Sequence, residues 1–205
     1  MKLYFVRHGQ SEANLLHEFS NSGLKHPLTE QGREQARQLA LSFSGEPIER
    51  IYSSPVLRAV QTAQVLSAAL QAPLEITEAL REWSVGQYEG TTDPVGWEMH
   101  RQVQQDWFFA QKYDSKMPGG ENFYEIRARF SALIEQLIAN AKDSDRRVIC
   151  VAHGGLYIAM LPIFINNIDH DFAIQQGFPY TGRVETELRP EGLVCLSWCG
   201  VKCPS

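Results

Sequence analysis

"LYFVRHGQSEAN" (Leu3–Asn14) runs from four apolar residues straight into Arg-His-Gly, and "VICVAHGGLYIAM" (Val148–Met160) repeats the transition far downstream. A short unbroken apolar run bounded by turn residues reads as a strand buried on both faces. Such strands belong to parallel sheets with helices packed on either side. In both stretches a histidine stands just past the end of the strand. A glycine follows it, which permits a tight turn and close approach of backbone to a ligand. Open α/β sheets bind their ligands in the crevice beyond the carboxyl ends of the strands. If the two strands are neighbours, His8 and His153 meet face to face.

The rest of the chain fits this frame. Lys2–Val6, Arg50–Tyr52, Leu74–Thr77 and Arg147–Ala152 read as strands, and the alternation of Val194, Leu196 and Trp198 as a last one. Between them lie segments with helical spacing. Thr29 caps one that carries Ala36, Leu39, Ala40 and Phe43. Ser54 followed by Pro55 predicts a helix start, with proline at its first position. Pro94–Ala110 is helical and aromatic-rich, "MPGGEN" (Met117–Asn122) breaks the chain, and Ile126 to Ile138 mark a long amphipathic helix. Leu156–Ile165 reads as another. The expected fold is a three-layer α/β sandwich, a mostly parallel central sheet flanked by helices. It is a single domain over residues 1–205, with a small helical insertion at about 91–120 over the site.

Bulk properties narrow the function. The 205 residues, 43% hydrophobic and 21% charged, are ordinary for a globular protein, and the net charge of −5 argues against a nucleic-acid or membrane-surface binder. The longest apolar stretch, Leu156–Ile165, contains Pro162 and falls short of the ~20 residues that span a bilayer. Only Leu3–Val6 precede Arg7, too few for a signal peptide, so a cytoplasmic location is expected. Cys150 reads as a small core residue. Cys195, Cys199 and Cys203, spaced by four, lack the close pairing of a metal site.

Arg7 precedes His8, and Arg58 lies early in the helix after "YSSP". Guanidinium forks suit phosphate oxygens. Helix starts after His8 and His153 add unpaired backbone N–H groups. Singly, each arginine reads equally as a surface ion-pair partner and each histidine as a structural residue; together they describe an anion pocket. There is no His-Glu-x-x-His, Gly-x-Ser-x-Gly or Walker loop, which disfavours zincins, α/β-hydrolases and P-loop NTPases.

The ordered set "VRHGQSEAN", "HPLTEQGREQA", "YSSPVLRAVQTA", "LREWSVGQYEG" and "VAHGGL" resembles the histidine phosphatase superfamily, in the branch that holds cofactor-dependent phosphoglycerate mutases and many small phosphatases. The resemblance implies a phosphohistidine on His8, with Arg7, Arg58 and a protonated His153 holding the phosphoryl oxygens, and Glu82 as proton donor. Glu78 and Glu89 are its rivals nearby. Asn14, Gly9, Ser11 and Gly154 are implied as substrate-binding residues. His17, His26, His100 and His170 match no motif and are expected at the surface or in loops, with His17 or His26 at the pocket mouth as an alternative. No metal and no cofactor are implied. The expected partner is a small-molecule phosphate ester, with no nucleic acid and no membrane, and the oligomeric state is open.

Within the family, a mutase needs a long cover and extra basic groups. The segment Thr91–Met117 is short and offers only His100, Arg101, Lys112 and Lys116. Gly155 stands where mutases tend to carry asparagine. Hydrolysis is therefore expected, with mutase-type transfer or a non-catalytic phospho-ligand binder as alternatives. The rings of Trp97, Trp107, Phe108, Phe109 and Tyr113 read as the packed face of a cap, or alternatively as substrate-facing. The loop Phe19-Ser20-Asn21 departs from the family pattern, which leaves its contacts open.

Overall fold

The protein, described here from a computed structural model, is defined over residues 1–139 and 145–203. Its centre is a seven-stranded sheet in the order β3-β2-β4-β1-β5-β6-β7. The strands are β1 (Lys2–Arg7), β2 (Arg50–Ser53), β3 (Leu74–Ile76), β4 (Arg147–Ala152), β5 (Arg183–Arg189), β6 (Gly192–Trp198) and β7 (Val201–Lys202). The helices are α1 (Glu12–Leu16), α2 (Glu30–Ser42), α3 (Leu57–Leu70), α4 (Pro94–Phe108), α5 (Phe123–Ala139), α6 (Gly154–Phe164) and α7 (His170–Gln176).

Strand side chains alternate between faces, and each face finds its own helices. Leu3 and Phe5 of β1, with Val148 and Cys150 of β4, pack against Phe130 and Ile134 of α5 and Leu156 of α6. Tyr4, Val6, Ile149 and Val151 point the other way, onto Leu39 and Phe43 beside α2 and Leu66 of α3. This is the three-layer sandwich expected from the sequence. The parallel part is β1 to β4; β5 pairs antiparallel with β1, and β6 and β7 continue antiparallel, so the sheet is mixed. No helix among the described residues is long and apolar enough to cross a membrane.

Three elements lay outside the sequence reading: β5, β7 and α7. In β5 the alternation is half hidden, because Thr186 takes a core position and satisfies its hydroxyl on the Leu3 carbonyl. Strand β7 is two residues long and exposed. Thr29 caps α2 as expected, accepting from the Gly32 amide at 2.9 Å. The start of α3 is a correction. Ser54 and Pro55 lie in a bend and the helix begins at Leu57, with Val56 as its cap. The Ser54 hydroxyl still accepts from the Val56 amide at 3.3 Å, but its principal partner is elsewhere, in the site.

Strand β4 sits between β2 and β1, with Arg7 in register with Ala152. The next residues, His8 and His153, therefore leave the sheet side by side, tied by the His8 amide on the Ala152 carbonyl at 3.0 Å. The loop after His8 is pressed onto α2. A Cβ on Gly9 would sit 2.5 Å from the Gly32 carbonyl oxygen, and one on Gly32 would overlap the Gln10 carbonyl. Both obstacles are backbone, which cannot swing aside. Gly32→Ala is expected to destabilise the fold by about 1–3 kcal/mol, the usual cost of overpacking. Thermal melting should show a fall in Tm of several degrees, since a chain of this size loses ~2–4 °C per kcal/mol.

Candidate active site

A cavity of ≈ 310 Å³ opens above the ends of β1 and β4. His8 lies at its floor and His153 is buried behind it, the two imidazoles with ring centroids 5.2 Å apart. Both are almost wholly buried, at 2% and 1% exposure. Arg58, projecting from the first turn of α3, joins them. Its Nε–H donates to His8 Nε2 at 2.9 Å, its Nη2 to His153 Nδ1 at 3.1 Å, and its Nη1 to the Ser20 carbonyl.

Guanidinium has no acceptor, so these contacts fix both tautomers. His8 accepts at Nε2, and its Nδ1–H donates to the Gly9 carbonyl at 2.7 Å. The lone pair is thus held at Nε2. His153 accepts at Nδ1, so its proton sits on Nε2 and is given to the Ser54 hydroxyl at 2.8 Å. Burial first, and the Arg58 charge second, hold both imidazoles well below the ordinary histidine pKa. Adding a proton to His153 beside Arg58 and Arg7 in a desolvated site is unfavourable on both counts, so the cation expected there is one that a bound phosphoryl group has to stabilise. Arg58 itself is pushed down to about 10 by the same burial.

Arg7 comes from the end of β1. Its Nη1 donates to the Phe178 carbonyl at 2.5 Å, and its guanidinium lies 4.4 Å from the centroid of the Tyr180 ring. Its Nε–H is buried without a hydrogen-bond partner, the only such side-chain polar atom among the described residues. A buried donor left unpaired costs ~1–3 kcal/mol, so an orphan of this kind marks a place where an acceptor belongs.

Glu82 stands opposite. One oxygen accepts from the Trp83 amide and the other from the Gly155 amide, both at 3.1 Å. It is 9% exposed, and desolvation raises its pKa despite those amides and the nearby arginines. A Cβ on Gly155 would fall 2.9 Å from one Glu82 oxygen and 3.0 Å from the Trp83 indole nitrogen. Glycine here leaves room for the carboxyl to face the cavity. Of its rivals, Glu89 serves the neighbouring loop, accepting from the Asn21 and Ser22 amides, and Glu78 pairs with Arg81 at the surface.

The other sequence-derived residues divide. Asn14 and Gly154 line the cavity. Gly9 and Ser11 do not, and here the expectation of substrate contact is corrected. Ser11 is fully buried and donates its amide and hydroxyl to Asn14 Oδ1, at 3.0 and 2.8 Å. Gly9 is packed on Gly32 and donates its amide to Thr62. Both hold the frame behind the ligand-facing groups. His100, expected at the surface, is also a correction: it lines the cavity and stacks on Trp83 at 4.3 Å. His26 is buried against Glu18, and His170 bonds the Ala159 carbonyl. Sequence reasoning missed Ser54, Phe178 and Tyr180. Ser54 stood in a quoted motif, but its pairing with His153 depends on a fold contact that no spacing announces.

The aromatic segment does both things foreseen for it. Trp107 is buried against Trp83 and Phe123, whereas Trp97 lines the cavity, stacked on Phe19 at 3.8 Å. The cysteines are all free, and burial drives Cys150 up to about 12 and Cys199 up to about 11, so both remain thiols.

With this geometry established, comparison with known proteins agrees. Residues 3–200 match the histidine phosphatase superfamily, branch 1, and the chain belongs to that family. A Hydrogenobacter thermophilus protein named "Putative phosphoserine phosphatase 2" is 36% identical over 161 residues, covering 78% of this chain and 76% of its own. The 2,3-bisphosphoglycerate-dependent phosphoglycerate mutase of Rhizobium etli is 33% identical, covering 74% of each chain. The structure of Bacillus stearothermophilus YhfR, at 23% identity, superposes with a TM-score of 0.81 over 98% of this chain and 96% of that one, a likeness of fold.

The electrostatics make a direct prediction. In Arg58→Gln, the pKa values of His8 and His153 should both rise toward the ordinary histidine value, because a neighbouring positive charge has gone. An NMR titration of the imidazole carbon-bound protons checks this; unmoved values would mean Arg58 does not set the protonation of the pair.

Proposed function

We propose that this member of the histidine phosphatase superfamily is a phosphatase that hydrolyses small phosphate monoesters through a phosphohistidine on His8. The observation that carries the reading is the pinned tautomer of His8: its nucleophilic lone pair sits at Nε2 against Arg58, in a cavity also lined by Arg7 and by Glu82, whose pKa burial raises.

In the first step the Nε2 lone pair attacks phosphorus, the ester P–O bond breaks, and the leaving oxygen takes the Glu82 proton to depart as an alcohol. Arg58 turns its Nε–H from His8 to the phosphoryl oxygens as attack begins, and Arg7 gives its unpaired Nε–H to the same group. Charge develops on those oxygens, so donors aimed there favour the transition state. A phosphoryl dianion against His153 raises the pKa of that imidazole, which takes a proton from the entering ester's monoanion or from solvent and becomes the third cation. In the second step water attacks phosphorus, Glu82 takes its proton, the N–P bond breaks, and His8 returns neutral with inorganic phosphate released. Asn14 and the first turn of α6 at Gly154 supply further donors. On this reading residues 1–205 are one domain, and the segment at about 91–120, with α4 over the cavity, is its cap.

His8→Ala should abolish hydrolysis of para-nitrophenyl phosphate, and acid-labile, base-stable labelling from a radioactive phosphoester should be found on the parent and not on the variant. Turnover at full rate in His8→Ala would remove the nucleophile. With 3-phosphoglycerate and 2,3-bisphosphoglycerate, sustained formation of 2-phosphoglycerate would instead favour mutase-type transfer.

The pH dependence follows from two displacements of opposite direction. Glu82 must carry its proton, and its pKa is raised, so activity is full below that raised value and is lost as pH climbs through it. His8 must be unprotonated, and its pKa is lowered, so the acid limb lies below the usual histidine range. Glu82→Gln should lower kcat by ~10²–10⁴-fold, as loss of a positioned acid does, and flatten the alkaline limb.

A further inference from the structure

Away from His8 the cavity lining is rich in rings, and this half we call the chamber. Phe19 and Trp97 stack with centroids 3.8 Å apart and planes 20° apart, and Trp83 and His100 do so at 4.3 Å and 18°. Burial pushes His100 down to about 4, so its ring is uncharged near neutrality. Ile158 adds an aliphatic side, and Asn21 and Gln104 add amides. The charged side chain in this half is an acid. Glu18 lines the cavity, and its Oε1 is held by Lys25 and His26, which leaves Oε2 for a donor on a ligand.

The arginines of the lining are at the other end, and the lysine nearest the chamber, Lys25, is taken up by Glu18. Among the described residues that line the cavity, Arg7 and Arg58 are the only lysines or arginines, and both belong to the floor around His8. The basic groups of α4 and the loop after it are engaged elsewhere: Arg101 with Glu98, Lys112 with Asp106, Lys116 with Glu125. A second phosphate or a carboxylate in the chamber would have to compete with Glu18 for Lys25, and no other lysine or arginine among the described lining residues stands at this end. Like charges brought together in a partly desolvated space repel, and such repulsion is a source of specificity. An uncharged ring meets no such penalty. Its C–H faces cover aromatic surface, and its hydroxyls reach the two amides and Glu18.

We propose that the chamber selects monophosphate esters of uncharged, hydroxylated ring alcohols and rejects esters bearing a second anionic group. The volume of ≈ 310 Å³ suits one such ring and its phosphate. The proposal rests on the phosphatase reading above and deepens it to a substrate class.

The test compares kcat/KM for a pyranose monophosphate, 3-phosphoglycerate and a hexose bisphosphate, with para-nitrophenyl phosphate as a reference for the chemistry. The pyranose monophosphate is expected to exceed each multiply charged ester by about tenfold or more, the scale on which one mismatched polar contact discriminates. In Gln104→Lys, which places a cation in the chamber, the ratio of 3-phosphoglycerate to pyranose monophosphate should rise by a similar factor. If para-nitrophenyl phosphate is hydrolysed but 3-phosphoglycerate or the bisphosphate is used as well as the pyranose ester, the assignment of the chamber is overturned while the phosphatase reading stands. If no ester is hydrolysed, both fall together.

Discussion

One buried guanidinium organises this site. Arg58 contacts both histidines and the Ser20 carbonyl, and it does so at 5% exposure with no carboxylate in direct contact. Enclosing a cation in that way is costly, and its lowered pKa records the strain. The arrangement is poor for stability and good for binding a dianion, a trade-off common where function is stored in a fold. The lowered histidines and the orphaned Arg7 donor follow from the same shortage of negative charge, whereas Glu82 is raised by burial against the pull of the arginines.

The sheet supplies the precision. Side-by-side placement of His8 and His153 needs only that β1 and β4 be parallel neighbours in register, and the backbone bond from His8 to Ala152 locks that placement. The helices then bring the rest to a fixed scaffold: Arg58 on α3, Gly154 and Gly155 at the start of α6, Trp97 and His100 on α4. Strand and helix carry Arg7 and Arg58, Glu82 is held in an irregular segment by the Trp83 and Gly155 amides, and the loop at Phe19–Asn21 is pinned by Glu89, Trp83 and Arg58.

The sequence made the parallel half of the sheet and the pocket floor legible because their signals are strong and local. Unbroken apolar runs end in His-Gly, and the arginines stand at motif positions. What it hid depended on distant contacts. Ser54 looked like a helix cap, yet its hydroxyl takes the His153 proton from across the sheet. Gly9 and Ser11 looked like ligand contacts because they flank His8, yet close packing on Gly32 and the bond to Asn14 turn them into supports. His100 matched no motif, since its role comes from the face of α4 that the fold turns inward. The downward shift of the His153 pKa was out of reach for a related reason: burial and neighbouring charge cause it, and neither is written in residue order.

Strand β4 (Arg147–Ala152) enters the sheet between β1 (Lys2–Arg7) and β2 (Arg50–Ser53), both of which lie far ahead of it in the chain. During synthesis the first imidazole therefore emerges long before its companion, and the two halves of the parallel sheet wait with an unfilled slot between them. No nascent fragment ending ahead of that strand brings the phosphoryl-holding groups together. The paired-histidine pocket is thus completed only when the missing strand closes a long-range contact of the slow-forming kind.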